Sequence, residues 1–221
     1  MAQPIMNAPI LHTLHNQKLW LSGQRSIYWE EQKALILSDL HFGKTGHFRK
    51  AGIAVPQNVY KEDLQRLLSL IQYFKPEQLI VVGDFFHSIA NTEMDWFQKW
   101  RNDFASLKII LVKGNHDILK ESWYNETNIE VVQKQLVINS FAFTHDKCDA
   151  ETEGYIFCGH LHPAIILHGA GKQSMRLPCF YFTKEHCILP AFGRFTGTAT
   201  IKPKAGENVF AIVENGLVVI Q

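Results

Sequence analysis

Leu79-Ile80-Val81-Val82-Gly83-Asp84 is a short apolar run that stops at a glycine and a carboxylate. The same arrangement stands upstream, where Leu35-Ile36-Leu37 runs into Asp39-Leu40-His41, and downstream, where Ile109-Ile110-Leu111-Val112 runs into Gly114-Asn115-His116-Asp117. Runs apolar at every position read as strands buried on both faces. Between the first two, Tyr60, Leu64, Leu67, Leu68, Ile71 and Phe74 recur at helical spacing until Pro76. Between the second and third, Met94, Phe97, Trp100, Arg101 and Phe104 trace another helix, with Asn91 or Thr92 as its cap. Strand, helix, strand, helix, strand implies right-handed crossovers and a parallel sheet covered by helices.

Upstream, Leu19 to Leu21 and Ile27-Tyr28-Trp29 flank Ser22-Gly23, a hairpin feeding the first buried strand. Beyond Asn125 the pattern turns β-rich, with short strand candidates at Val131-Val132, Val137-Ile138, Phe141 to Phe143, Tyr155 to Phe157 and Ile165 to Leu167. Val209 to Val213 and Leu217 to Ile220 flank Asn215-Gly216, the signal of a closing edge hairpin. No linker, repeat or low-complexity segment interrupts the chain, so residues 1–221 read as one domain made of two sheets.

Composition narrows the function classes. The 221 residues are 46% hydrophobic, enough for a sizeable core, and a net charge of +1 leaves no global basic field to attract nucleic acid or membrane. The charge is nevertheless segregated: residues 168 to 204 carry six bases against one acid, and residues 117 to 153 carry eight acids against three bases. No apolar run approaches the ~18 residues of a membrane span, and the first residues lack a secretory pattern, so a soluble cytoplasmic protein is expected. Cys148, Cys158, Cys179 and Cys187 have no Cys-x-x-Cys spacing and read as reduced, mostly buried thiols.

Five motifs each end an apolar run: Asp39-Leu40-His41, Gly83-Asp84, Gly114-Asn115-His116-Asp117, Thr144-His145 and Gly159-His160-Leu161-His162. Carboxyl ends of parallel strands gather on one edge, so residues from 39 to 162 can meet in one crevice. Carboxylate, imidazole and carboxamide oxygen without thiolate suit divalent ions such as manganese, iron or magnesium better than a structural zinc. Asn115 offers a neutral carbonyl oxygen, and the glycines before Asp84, Asn115 and His160 permit sharp turns beside the site.

At these residues the sequence closely resembles the calcineurin-like metallophosphoesterase superfamily. The resemblance implies an α/β fold, a four-layer αββα sandwich of two mixed sheets flanked by helices, and a dinuclear metal site. It assigns Asp39, His41, Asp84 and His162 to one ion and Asp84, Asn115, His145 and His160 to the other, with Asp84 bridging. The ions would be manganese first, with iron, zinc, magnesium or nickel as alternatives. Two cations about 3.5 to 4 Å apart can deprotonate a bridging water and clamp phosphoryl oxygens during in-line attack, with hydroxide as nucleophile. No Gly-x-Ser-x-Gly elbow offers a serine nucleophile instead. His116 is the candidate for stabilising the transition state or protonating the leaving oxygen. Asp117 either orients His116 or caps a helix. Thr144 departs from the superfamily, where glycine commonly precedes the histidine.

The finer resemblance is to the bacterial ligase-associated DNA-damage-response phosphoesterases, described as endonucleases. It rests on Ser38-Asp39-Leu40-His41-Phe42-Gly43-Lys44 continuing through His47-Phe48-Arg49-Lys50-Ala51-Gly52-Ile53 to Val55-Pro56, on Gly83-Asp84-Phe85-Phe86-His87-Ser88, on Leu177-Pro178-Cys179-Phe180, and on Leu189-Pro190-Ala191-Phe192-Gly193-Arg194-Phe195-Thr196-Gly197. It implies a metal-dependent phosphodiesterase or endonuclease acting on DNA, with an ATP-dependent DNA ligase, a helicase and an exonuclease as pathway partners and no membrane. A homo-oligomer is compatible with the sequence. Arg49 is a candidate contact to a substrate phosphate, with His47 or His87 supporting the scissile or a flanking phosphate. Phe180, Tyr181, Phe182, Phe192 and Phe195, interleaved with Lys184 and Arg194, form either a stacking surface for single-stranded nucleic acid or part of the core. Rival readings are a small-molecule phosphodiesterase, acting on a cyclic nucleotide, a nucleotide pyrophosphate or a lipid precursor, and a non-catalytic scaffold of a repair-ligase assembly.

Overall fold

A computed structural model of the chain describes residues 7–44, 46, 52, 58–87, 92–147, 154–169, 171 and 173–221. Ile10–Leu14 (β1), Gln17–Ser22 (β2), Ser26–Trp29 (β3) and Ala34–Leu37 (β4) follow one another antiparallel. From β4 the same sheet continues parallel through Gln78–Val82 (β5), Lys108–Val112 (β6) and Ile129–Val132 (β7). The crossovers are Asn58–Phe74 (α1), Thr92–Asp103 (α2) and Glu121–Glu126 (α3).

Alternation along each strand feeds two different cores. Leu35, Leu37, Leu79, Val81, Ile109 and Leu111 point to one face, where they meet Leu67 and Leu70 of α1, Phe97 and Trp100 of α2 and Tyr124 of α3. Ala34, Ile36, Ile80, Val82 and Val112 point to the other, against Phe141, Phe143, Phe157, Phe180 and Phe182 of the second sheet. Burial on both faces is why these strands carry no polar alternation.

The second sheet contains Gln135–Ile138 (β8), Phe141–Thr144 (β9), Tyr155–Cys158 (β10), Pro163–His168 (β11), Ser174–Phe182 (β12), His186–Ile188 (β13) and Ala199–Thr200 (β14), with Asn208–Val213 (β15) and Gly216–Val219 (β16) branching from β12. It is mixed, since β9, β10 and β13 run parallel while β11, β12 and β15 pair antiparallel. Among the described residues the helical layer lies on the first sheet. The far face of the second carries a smaller apolar cluster of Ile165, Leu177, Cys179, Ile201, Val209 and Ala211. Cys158, Cys179 and Cys187 are buried, and Cys148 lies outside the described residues. No helix among the described residues is long and apolar enough to cross a membrane.

The run at Val131-Val132 joins the first sheet as β7 after the short helix α3. One expectation needs correction. The closing hairpin turns at Glu214-Asn215, one residue ahead of Asn215-Gly216: Val213 pairs with Gly216, and Glu214 carries the left-handed φ of 54°.

Candidate metal centre

The loops after β4, β5, β6, β9 and β10 meet where the two sheets abut. Main-chain bonds weld the first two loops together, with Asp39 N donating to Gly83 O at 3.1 Å, His41 N to Asp84 O at 2.9 Å and Phe42 N to Phe85 O at 2.9 Å. Asp39, His41, Asp84, His160 and His162 all take left-handed backbone, with φ of 54°, 52°, 49°, 63° and 52°. That conformation is uncommon without glycine, and Asp and His are among the residues that tolerate it best. Gly83 has φ of 79° and a Cβ there would collide with the His145 ring, while a Cβ on Gly159 would meet Ser38 Oγ and Asp39 Oδ2. Glycine is therefore required where the second sheet closes on the first.

Asp39 is fully buried. Its Oδ2 accepts from His160 N at 3.1 Å, and Ser38 Oγ sits 2.5 Å from it and 2.7 Å from Val82 O. Its Oδ1 lies 3.1 Å from His162 Nε2, yet both atoms are buried without a hydrogen-bond partner, as are both ring nitrogens of His41. Asp39, His41 and His162 bring one ligand atom each within 4.8 Å of one another, and so do Asp39, Asp84 and His145. Asp84 Oδ2 stands between the groups, 4.0 Å from His41 Nε2 and 3.5 Å from His145 Nε2. His145 Nε2 is also 2.9 Å from Asn115 Oδ1 and 3.1 Å from His160 Nδ1. One nitrogen cannot serve a carboxylate, a carboxamide oxygen and a second imidazole as a hydrogen-bond partner. A shared cation satisfies all of them, so the donor set fits divalent metal.

The tautomers agree. His162 Nδ1 donates to Gly197 O at 3.0 Å, and His145 Nδ1 lies 3.4 Å from Val82 O, which leaves each Nε2 lone pair facing the carboxylates. Burial, with Lys44 nearby as the next cause, pushes the His41 imidazole down to about 2, so it stays neutral and ready to ligate. Burial also lowers His162, but the Asp39 carboxylate outweighs it and the net shift is upward. Burial raises the Asp84 carboxyl against the pull of His145.

His116 is half-exposed at the mouth, its Nε2 3.9 Å from Asp84 Oδ2, while its backbone N donates to Asp84 Oδ1 at 2.9 Å. The His87 ring packs 4.5 Å from that of His116 and 5.4 Å from that of His41. Of the sequence candidates, Asp39, His41, Asp84, His87, Asn115, His116, His145, His160 and His162 thus fall in one cluster. His47 and Arg49 lie outside the described residues.

Asp117 neither orients His116 nor caps a helix. Fully buried, it accepts Phe86 N and Gly114 N, each at 2.9 Å, and so ties the loop after β5 to the loop after β6. Burial pushes its carboxyl up to about 7 against those two bonds. Lys44, which the sequence reading left unassigned, is half-buried and faces Asp84 and Asp39. Its place at the end of the block beginning at Ser38 was the available signal.

The sequence from 33 to 178 matches the model of the calcineurin-like phosphoesterases. Nuclease MPE of Pseudomonas putida superposes with a TM-score of 0.82 at 30% identity, covering 95% of this chain and 100% of that one. YfcE, a phosphoesterase from E. coli, gives 0.42 at 14% identity over 85% of this chain and 96% of its own. No curated protein matches the sequence.

Proposed function

Because the chain belongs to the calcineurin-like phosphoesterase family, we propose that this metal-dependent phosphoric-ester hydrolase is a phosphodiesterase whose substrate is DNA, cut internally during repair in the cytoplasm. The observation that carries the reading is the convergence of ligand atoms from both sheets: Asp39 Oδ1, His41 Nε2 and His162 Nε2 are buried without a hydrogen-bond partner, and Asp84 Oδ2 faces His41 Nε2 and His145 Nε2. Likeness to a nuclease over nearly the whole chain supports nucleic acid as the substrate class.

In this reading Asp39, His41, Asp84 and His162 hold one divalent ion, and Asp84, Asn115, His145 and His160 hold a second, manganese being favoured by the oxygen and nitrogen donors. The ions would supply Lewis acidity toward the phosphoryl group and an activated water. The remaining chemistry belongs to the chain. Lys44 adds a half-buried positive charge for a phosphate oxygen. His116, half-exposed at the mouth and held by its own amide to Asp84, protonates the leaving oxygen, with the His87 ring packed against it. Asp117 keeps the Asn115-His116 loop in register with Asp84. His47 and Arg49 complete the substrate contacts, and a ligase, a helicase and an exonuclease are the expected pathway partners.

The test is metal-stripped protein reloaded with manganese and assayed on a generic diester, the matching monoester and a single-stranded DNA hairpin. Diester hydrolysis and DNA cutting are expected, both lost in Asp84→Asn. Diester hydrolysis without DNA cutting transfers the activity to a small-molecule diester, and no metal-dependent turnover on any substrate overturns the enzyme reading.

A further inference from the structure

A cavity of about 550 Å³ opens where the turn between β2 and β3 meets the turn between β15 and β16. The meeting of the turns is built in, because a Cβ on Gly23 would collide with Asn215 O. Gln24, Arg25, Arg66 and Arg194 line the cavity, and none of the proposed metal ligands does.

Two of its guanidiniums are fixed by the fold. Arg25 Nη1 donates to Ala191 O at 3.0 Å and to Gly193 O at 3.3 Å, and Arg66 Nη2 donates to Phe192 O. The amides of the same segment bond to the loop after β4, Phe192 N to Ser38 O at 2.8 Å and Gly193 N to Asp39 O at 3.0 Å. One held stretch of backbone therefore links the cavity to the metal centre. Each arginine spends a single Nη on this grip, which leaves most of its five donors for other work.

The acceptors for those donors are short. Arg66 lies 2.9 Å from Asp63 Oδ1 and Arg194 lies 3.7 Å from Glu62 Oε2, but among the described residues no ion pair reaches Arg25. Gln24 Nε2 and Arg66 Nε are buried without a hydrogen-bond partner. Buried donors of this kind are costly unless a bound group supplies the acceptor. Burial lowers Arg25 to about 10 and Arg66 to about 9, with Asp63 opposing the fall and the neighbouring arginines adding to it. An oxyanion among these groups meets the unused donors and relieves their mutual repulsion. Phosphate suits them better than carboxylate, since three terminal oxygens can face three guanidiniums.

The rest of the lining describes what the phosphate is attached to. Leu177, Pro178 and Ile212 offer an apolar surface to a flat ring. Glu214 and Asn215 add a carboxylate and a carboxamide, which bond hydroxyl groups and keep the phosphate toward the arginines. The volume is that of a site for a small organic molecule. We infer that this cavity binds a nucleoside monophosphate, its phosphate among Arg25, Arg66, Arg194 and Gln24 and its base against Leu177, Pro178 and Ile212. The site lies apart from the proposed chemistry at the metals and does not depend on it.

The experiment is calorimetric titration of the full, metal-free chain with adenosine 5′-monophosphate, inorganic phosphate and adenosine. One nucleotide should bind per chain, more tightly than phosphate, and phosphate should compete with it. Gln24→Glu adds a carboxylate to the cluster next to Arg25, so it should keep its stability in urea and weaken the nucleotide by about tenfold or more. Arg194→Gln, at an exposed position, should weaken it about threefold. Lys44→Gln alters the metal centre and should leave this affinity unchanged. Loss of affinity in Lys44→Gln with none in Gln24→Glu would put the nucleotide at the metal ligands and overturn the inference. So would a nucleotide held no more tightly than phosphate, or no binding at millimolar concentration. If Gln24→Glu proves unstable, Arg194→Gln decides, and an unchanged affinity there removes the site.

Discussion

The two sheets contribute different halves of the candidate centre. The first supplies both carboxylates and the carboxamide, Asp39, Asp84 and Asn115, with His41, whereas the second supplies only imidazoles, His145, His160 and His162. The fixing bonds differ in kind as well. The carboxylates are held by donors, the amides of His160 and His116 and the neighbouring Ser38 hydroxyl. Of the second-sheet imidazoles, His145 and His162 face acceptors, Val82 O and Gly197 O, which leave their Nε2 atoms unprotonated for ligation. Neither sheet alone assembles either three-residue group, so holding metal depends on the two sheets being docked.

The hardest blow to this division is Asp39→Ala, since Asp39 is common to both groups. Its loss should reduce diester turnover by about a thousandfold and release bound manganese in equilibrium dialysis, with the far-ultraviolet dichroism retained. Two ions still bound per chain would mean that the second-sheet histidines hold metal without it.

Asp117→Ala tests the first sheet's share. It leaves the Phe86 and Gly114 amides buried without acceptors, for a loss of about 3 kcal/mol in urea unfolding. Asp117→Asn can satisfy one amide and turns its own NH2 toward the other, so an intermediate loss is expected. Equal stability of all three proteins would remove Asp117 as the tie between the two loops.

A pH series separates His41 from His162, whose shifts have opposite signs. His41 stays neutral when folded but takes a proton near pH 6.5 when unfolded, so below that pH it draws metal-free protein toward the unfolded state. Stability therefore falls by about 1 kcal/mol per pH unit through this residue. His162, raised above its ordinary value, does the reverse and loses stabilisation as pH climbs through its folded pKa. The difference in stability between the parent and His41→Asn should shrink or change sign on the acid side alone. A difference that does not vary with pH would show that His41 is not held neutral.

Smallest of all, Thr144→Gly restores the residue common in the superfamily. It removes a buried hydroxyl that donates to Asp146 O at 2.8 Å, for about 1 kcal/mol, and should leave manganese affinity unchanged. A tenfold change in affinity would place Thr144 among the residues that set His145.

Much of this is legible in the sequence. The ends of β4, β5, β6, β9 and β10 announced themselves because runs buried on both faces contrast sharply with the polar motifs that stop them. Strand β12 was missed as a strand because it opens on exposed Ser174, Met175 and Arg176 and contains Pro178. That proline pairs with Ala164 of β11, while the ladder to β15 begins only at Cys179, so its missing N–H breaks no bond there. Helix α3 spans six residues, too short to show a period. Phe195, 41% exposed, could not be told from the buried Phe180, Phe182 and Phe192, because exposure depends on which way a held segment turns.

The left-handed backbone at Asp39, His41, Asp84, His160 and His162 has a consequence for what the chain can become. Each position screens a newcomer twice, once for its donor atom and once for its willingness to bend that way. Glutamate keeps the carboxylate of aspartate but meets the second screen badly, and a β-branched residue fails both. Asparagine passes the second while altering the first. Drift at these places is therefore steered into a narrow corridor of asparagine, aspartate, histidine and glycine, so variants that change which metal is held can arise there without first unmaking the fold.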